Sequence, residues 1–441
     1  MAAILARKNT MWYINALITL ALMLLFRFLP APSPITPYGM AVAGIFIGMI
    51  YGWCTVNFFY PSMLALILIG FTPYTTPDGA AALLFSNAQV LQCIFLMLAT
   101  AILNTTGVTN YLANWLINRR IIKNRPWLLI IFLMLATTAI GLIANIAGVV
   151  FIMWPLVHQI FKKVGYEKGD VAPAFILVGV VLIGNAANLL MPFQIPVVAT
   201  FGFLFSASGG TLTSFNGMSY LALSVVVFLI SNVLYFIVIR FAAHIDVTKL
   251  RNYEPEPESV PKMNKVERLG FILVIALFVL LLAPSIFPAG TALGSFFKTF
   301  GTVGPCMLVI GIACVVMFKD GQLFVRFQQL ADGIGWGMIF MFGTATALSG
   351  ALNSEETGII AFFNGLLAPV FGNMNPIIFV AIFLLIGLIA TNVLNNSVVS
   401  AVMIPIAYTL CSMFNMNSLA LTAMFTIIVT YGLFFPSGSP A

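Results

Sequence analysis

Runs of apolar residues such as Trp12–Leu29 and Leu221–Ile239 constrain this chain more than any other feature. A helix needs about 20 mostly apolar residues to cross the hydrocarbon of a bilayer. Met40–Gly52, Trp127–Gly141, Phe151–Ile160, Leu269–Leu282, Met307–Phe318 and Ile377–Ala390 are further runs, several of them short or merged with a neighbour across a polar break. Only 7% of the 441 residues are charged, against roughly 25% in an ordinary soluble domain. That is too little to clothe a water-facing surface of this size. The runs do not alternate in polarity every second residue, as the strands of a membrane barrel would. The expected fold class is therefore an all-α polytopic membrane protein.

The charges that exist sit between the runs. Basic residues cluster at Arg7–Lys8, Arg119–Arg125, Lys162–Lys168, Arg240–Arg268 and Lys319–Arg326. Short Lys/Arg-rich loops favour the cytoplasm, which places the N-terminus and the 241–267 segment there. The clusters are too short, and too separated by lipid-buried spans, to bind nucleic acid. No small-residue cleavage site follows the first apolar run, which reads as a span rather than a signal peptide. Cys54, Cys93, Cys306, Cys314 and Cys411 lie mostly in apolar segments at no metal-binding spacing, and read as free core thiols. His158 and His244 stand alone, and no Walker motif is present. Neither an enzyme, a transition-metal site, a cofactor nor an ATP-driven pump is expected. Every Asp and Glu falls in or beside a loop or hairpin end, so no buried acid offers a proton relay.

Glu254-Pro255-Glu256-Pro257-Glu258, followed by Pro261, marks a linker between two hydrophobic halves. The halves share a pattern. Asn145 lies ten residues before Pro155, and Asn395 ten before Pro405, an offset of 250. Ala99-Thr100-Ala101 within Phe85–Gly107 is echoed by Ala345-Thr346-Ala347 within Ile334–Gly358, and Pro192 by Pro440. Three matches in the same order argue for an internal duplication. Pro155 and Pro405 are expected at helix boundaries. Asn- and Gly-rich segments at Gly141–Gly148, Gly184–Pro196, Gly343–Gly350 and Thr391–Ser397 interrupt the apolar runs. A helix broken at membrane depth leaves backbone groups that must turn towards protein or a polar cavity. Broken helices in repeated halves commonly hold the ligands of secondary transporters.

The chain resembles the divalent anion:sodium symporters, carriers of dicarboxylates, citrate or sulfate. Ile35-Thr36-Pro37 with Ala43–Gly48 looks like that family's first loop and second span. Phe85-Ser86-Asn87 to Asn104–Gly107 and Ile334–Gly337 to Glu355–Gly358 look like its two re-entrant hairpins. Its Ser-Asn-Thr motif falls on Asn395-Asn396-Ser397 in the second half. In the first half it falls on Asn145-Ile146-Ala147, where both hydroxyls are missing. Its proline-rich loops fall on Met191-Pro192-Phe193-Gln194 and Ser439-Pro440-Ala441, after which the family's last helix would follow.

The resemblance implies two inverted repeats with re-entrant hairpins and broken transmembrane helices. Residues 1–80 and 211–290 (linker 241–267) would form a scaffold, and 81–210 and 291–441 the transport elements, the last short at its C-terminus. Substrate would meet Asn145, Gln194, Asn395, Asn396, Ser397 and Ser439. Sodium would meet Asn145, Gly184, Asn188, Thr391, Asn396 and Gly432. The plainer reading of the asparagines is helix-to-helix bonding or capping of the breaks, and of Gly184, Gly343 and Gly432 close backbone approach. The expected function is sodium-coupled, alternating-access transport of a small dicarboxylate-like anion by a homodimer in a bacterial inner membrane. An exchanger, the membrane subunit of a binding-protein-dependent carrier and an ion channel are the alternatives.

Overall fold

The computed structural model describes residues 2–144, 146–167, 169–256, 262–287, 290–318, 321–371 and 374–432. The protein is an all-α polytopic membrane protein. Among the described residues, eight helices are long and apolar enough to span a bilayer: Thr10–Phe28, Pro37–Thr55, Ala88–Thr106, Val171–Asn188, Gly217–Ala242, Lys265–Ile286, Pro376–Val393 and Asn396–Met413. A ninth arises if Ala292–Phe300 and Val303–Val315, bent by 73°, count as one broken span. The bend falls at Gly301, whose φ of 66° no other residue type adopts as readily. Sequence reading placed a single run there, at Met307–Phe318, and missed the bend.

Outward faces confirm the solvent. On the Gly217–Ile237 helix, Val226, Leu229, Ile230, Val233 and Ile237 are exposed at helical spacing, while Tyr220, Ser224 and Tyr235 turn inward. Such a stripe is untenable in water and neutral in hydrocarbon. Conversely Pro126–Gly141, expected as a span, has 16 residues. At 1.5 Å per residue it covers about 24 Å, short of the roughly 30 Å core. It stops because the chain breaks after Gly141.

The described residues form two compact units. One is drawn from residues 2–94, 196–215 and 335–432, the other from 95–195 and 216–334. In the first unit, Thr36 caps the Pro37–Thr55 helix by accepting from Gly39 N at 3.0 Å, and Pro37 fits the first helical turn. Trp336–Leu352 is buried continuously from Met341 to Ser349. In the second unit, Pro126–Gly141, Ile146–Val164 and Val171–Asn188 pack around Leu129, Leu133, Val149, Val157, Ile176 and Val180.

The described part of the expected linker packs on this second core. Ile245, Val247, Leu250 and Tyr253 are buried in it, and Tyr253 donates its hydroxyl to Asn118 Oδ1 at 3.2 Å. Lys249 Nζ reaches Asp170 Oδ2 at 2.7 Å, Lys163 reaches Glu256 at 2.9 Å and Lys123 reaches Glu254 at 3.2 Å. The Lys249 bond, with the Glu167 amide, holds the Asp170 carboxyl below its ordinary pKa. Burial pushes the neighbouring Tyr166 phenol up to about 12.

The duplicated pattern has a structural counterpart. Helices open at Pro126 and Pro376, and resume after a break at Ile146 and Asn396, each pair 250 apart. A left-handed glycine, Gly107 or Gly358, separates two helices ahead of each set. Pro155 and Pro405 correct the sequence reading. Both lie inside helices, Ile146–Val164 and Asn396–Met413, rather than at their ends. Membrane helices tolerate an interior proline because neighbouring groups satisfy the freed carbonyl.

Candidate functional site

The second break belongs to the first unit. Asn375 caps the Pro376–Val393 helix, accepting from Ile377 N at 2.9 Å. Phe379, Phe383, Gly387 and Thr391, each four residues on, form its buried stripe, while Ile378, Ile382, Leu385, Ile389 and Val393 face outward. That register carries Thr391 inward at the helix end. Leu394 and Asn395 are extended, and Asn395 restarts the helix by accepting from Ser397 N at 2.9 Å.

Three oxygens converge across the break. Thr391 Oγ1 lies 2.5 Å from Asn396 Oδ1 and 2.6 Å from the Val429 carbonyl oxygen. The hydroxyl has one proton and can donate to only one of them. The other contact is completed either by the Asn396 amide turned to donate its N–H₂ to Thr391 Oγ1 or by a cation held among the three oxygens. Gly432 lies against Thr391, and a Cβ on it would come 2.5 Å from Thr391 Cγ2. Beside this cluster is a small cavity of about 20 Å³ whose polar wall is Thr200, Asn396, Ser397, Ser400, Thr426 and Thr430. It is lined without a charged side chain and has room for about one water-sized body. The N-terminus of Asn396–Met413 opens at this cavity and lends it a positive partial charge.

The first break belongs to the other unit and is built differently. Asn188 Nδ2 donates to the Ala144 carbonyl at 2.9 Å and to that of Gly141 at 3.4 Å, and Gln194 Nε2 donates to the Leu142 carbonyl at 2.6 Å. These are the carbonyls that a helix end leaves without partners. Asn188 reaches them because Gly141 and Gly184 let the helices close up. A Cβ at Gly141 would sit 2.9 Å from Ala187 Cβ, and one at Gly184 3.0 Å from Val149 Cγ1. The 189–194 loop is tied down in turn, with Tyr220 Oη donating to Leu189 O at 3.1 Å and Ser224 Oγ to Leu190 O at 2.9 Å. Asn185 Nδ2 is buried without an acceptor.

The structure thus brings together Thr391, Asn396, Ser397 and Gly432 in one unit, and Gly184, Asn188 and Gln194 in the other. Asn395 sits at the second break as a helix cap. Asn145 and Ser439 lie outside the described residues. Sequence reading missed the Val429 carbonyl, which no side-chain pattern signals. It also missed Thr426 and Thr430, although Thr422, Thr426 and Thr430 form a buried hydroxyl stripe at four-residue spacing on an otherwise apolar helix.

Broken apolar helices whose polar groups meet in this way recur at the binding sites of secondary transporters. The family model described as "Citrate transporter", CitMHS, matches residues 2–430. The chain belongs to this family. A search of curated proteins returned no match. As a CitMHS citrate transporter family member, the protein is an integral membrane protein that transports a small anion. The lining of its cavity includes no carboxylate, which would repel an anionic cargo.

Proposed function

We propose that the protein is a secondary active transporter for a small carboxylate anion of the citrate or dicarboxylate kind, coupled to sodium and working by alternating access. The observation that carries the coupling is the Thr391 cluster, three oxygens with one hydroxyl proton between two acceptors. Its ligands are neutral, which suits a hard monovalent cation better than a transition metal. Sodium would be taken up here as a second substrate, held by Thr391, Asn396 and Val429 with Gly432 close behind. Its charge, and the N-terminus of Asn396–Met413, would favour a carboxylate presented to Asn395, Asn396 and Ser397.

In this reading residues 1–80 and 211–290 serve as scaffold, and 81–210 and 291–441, as two inverted repeats, carry the cargo. The protein works as a homodimer in a bacterial inner membrane. Its basic 119–125, 162–163 and 249–251 loops support a cytoplasmic placement of that side. The test is uptake of labelled citrate and succinate into proteoliposomes under an inward sodium gradient, with choline as control. Saturable, sodium-driven accumulation is expected. Equal flux in both salts would sink the coupling, and non-saturating flux would point to a channel.

A further inference from the structure

The candidate site lies at the N-terminal end of the Asn396–Met413 helix. Two larger cavities lie further along the same helix, within the same unit, and share Asn353, Ile360 and Thr409 on their walls. One, of about 360 Å³, is a slot between apolar side chains. On Pro37–Thr55, Val42, Ile45 and Met49 form the buried stripe, while Ala43, Phe46, Ile47 and Ile50, also at helical spacing, form a second apolar stripe that faces the slot. Val402, Pro405 and Ile406 line it from Asn396–Met413, and Ile360 and Phe363 from Ile359–Phe371. The other cavity, of about 480 Å³, carries Ser208, Asn353, Asn364, Tyr408, Thr409 and Ser412, with no charged side chain among the described residues that line it. Ala207, Asn353 and Met413 on its wall place it where three helices end.

Asn396–Met413 is long enough to span a bilayer, so its C-terminal end marks the boundary between hydrocarbon and headgroups. The amides and hydroxyls therefore lie at headgroup depth, and the apolar slot runs inward from Thr409 to Val402, about 10 Å along the helix. That is the order of parts in a membrane lipid. The wall also dictates the head. Asn364 Oδ1 is buried with no hydrogen-bond partner. The hydroxyls of Ser208, Thr409 and Ser412 donate to the carbonyls of Phe205, Pro405 and Tyr408, which leaves their oxygens as acceptors. Turning the Asn364 amide over would leave those three unchanged. A head with N–H groups and no net charge matches such a wall, whereas a choline head has no N–H to give. We infer that this cleft binds a membrane lipid of the phosphatidylethanolamine type. Its ammonium donates to Asn364 and the neighbouring hydroxyl oxygens, and one acyl chain fills the slot between Pro37–Thr55 and Asn396–Met413. The lipid thereby touches the helix that carries Asn396 and Ser397 at its other end.

Native mass spectrometry of the purified full-length protein, paired with thermal unfolding in mixed micelles, tests the assignment. Phosphatidylethanolamine, phosphatidylcholine and phosphatidylglycerol with matched chains are titrated in turn. Phosphatidylethanolamine is expected to bind at least about tenfold more tightly than phosphatidylcholine, as a hydrogen bond from a charged donor implies, and to raise Tm as a ligand of the folded state. Asn364→Leu removes an acceptor that has no partner, so the variant should fold, and its preference should fall to within about twofold. Ala43→Phe fills the slot, and should lose the stabilisation by phosphatidylethanolamine while keeping the Tm seen without it. Equal binding of the two neutral lipids to the unmodified protein would overturn the inference, as would an Asn364→Leu protein with its preference intact or an Ala43→Phe protein still stabilised. Tighter binding of phosphatidylglycerol would also overturn it, and would point to a basic surface elsewhere. The lipid series on the unmodified protein needs no variant, so it decides the matter even where a substitution prevents folding. It involves neither sodium nor cargo, so its outcome is separate from that of the uptake experiment.

Discussion

Asn185 and Asn188 lie three residues apart on one helix and are equally hidden, 8% and 7% exposed. Even so, replacing each by alanine should have different consequences. Asn188→Ala withdraws the donor 2.9 Å from the Ala144 carbonyl and the weaker one 3.4 Å from that of Gly141. A buried acceptor left without a partner costs about 1–3 kcal/mol, whereas side-chain hydrogen bonds inside membrane proteins average nearer about 0.6 kcal/mol. Counting the long bond at half weight gives a loss of roughly 2 kcal/mol, about a 30-fold shift in the unfolding equilibrium. Asn185→Ala instead removes a donor whose burial is uncompensated. Relief of that penalty offsets the lost packing, leaving a change within about 1 kcal/mol of zero. Reversible denaturation in mixed detergent–lipid micelles measures both variants on one scale. If Asn185→Ala proves as destabilising as Asn188→Ala, or more so, then capping of the first break is not what Asn188 does.

Gly107 and Gly358 hold matching left-handed turns, φ 77° and 67°, but alanine should be tolerated only at the first. Nothing lies within 4 Å of a Cβ at Gly107, so the cost is the backbone strain of about 1–2 kcal/mol. At Gly358 the Cβ would stand 2.0 Å from the Pro34 carbonyl oxygen. That variant should lose most of its folded yield, as size-exclusion recovery would show. The Asp170–Lys249 pair should make the strap over the second core acid-sensitive. With its pKa lowered in the folded state, Asp170 contributes stability above its unfolded pKa of about 4, and that contribution fades as the pH falls through the folded value. Lys249→Met should flatten the acid limb of a stability–pH curve, and an unchanged limb would show that the pair contributes nothing there.

Much of this protein was written in its one-dimensional pattern. Apolar runs near membrane length dictate helices, because lipid offers backbone groups no other partner. The 250-residue recurrence is visible as Asn145 and Asn395 ahead of Pro155 and Pro405, and the breaks are visible as amide-rich interruptions. The roles of individual residues were not legible in the same way. Pro155 and Pro405 look like helix ends in sequence, yet sit inside helices whose surroundings accept them. Nothing in sequence shows that the packing of Gly141 on Gly184 brings the Asn188 and Gln194 amides onto the backbone carbonyls of the first break. The Val429 carbonyl joins Thr391 and Asn396 only because two helices 38 residues apart in the chain end at the same point. Hydropathy is a local property that a single segment expresses by itself. Which lone pair finds a proton depends on ångström distances between segments, and those exist only once the helices have packed.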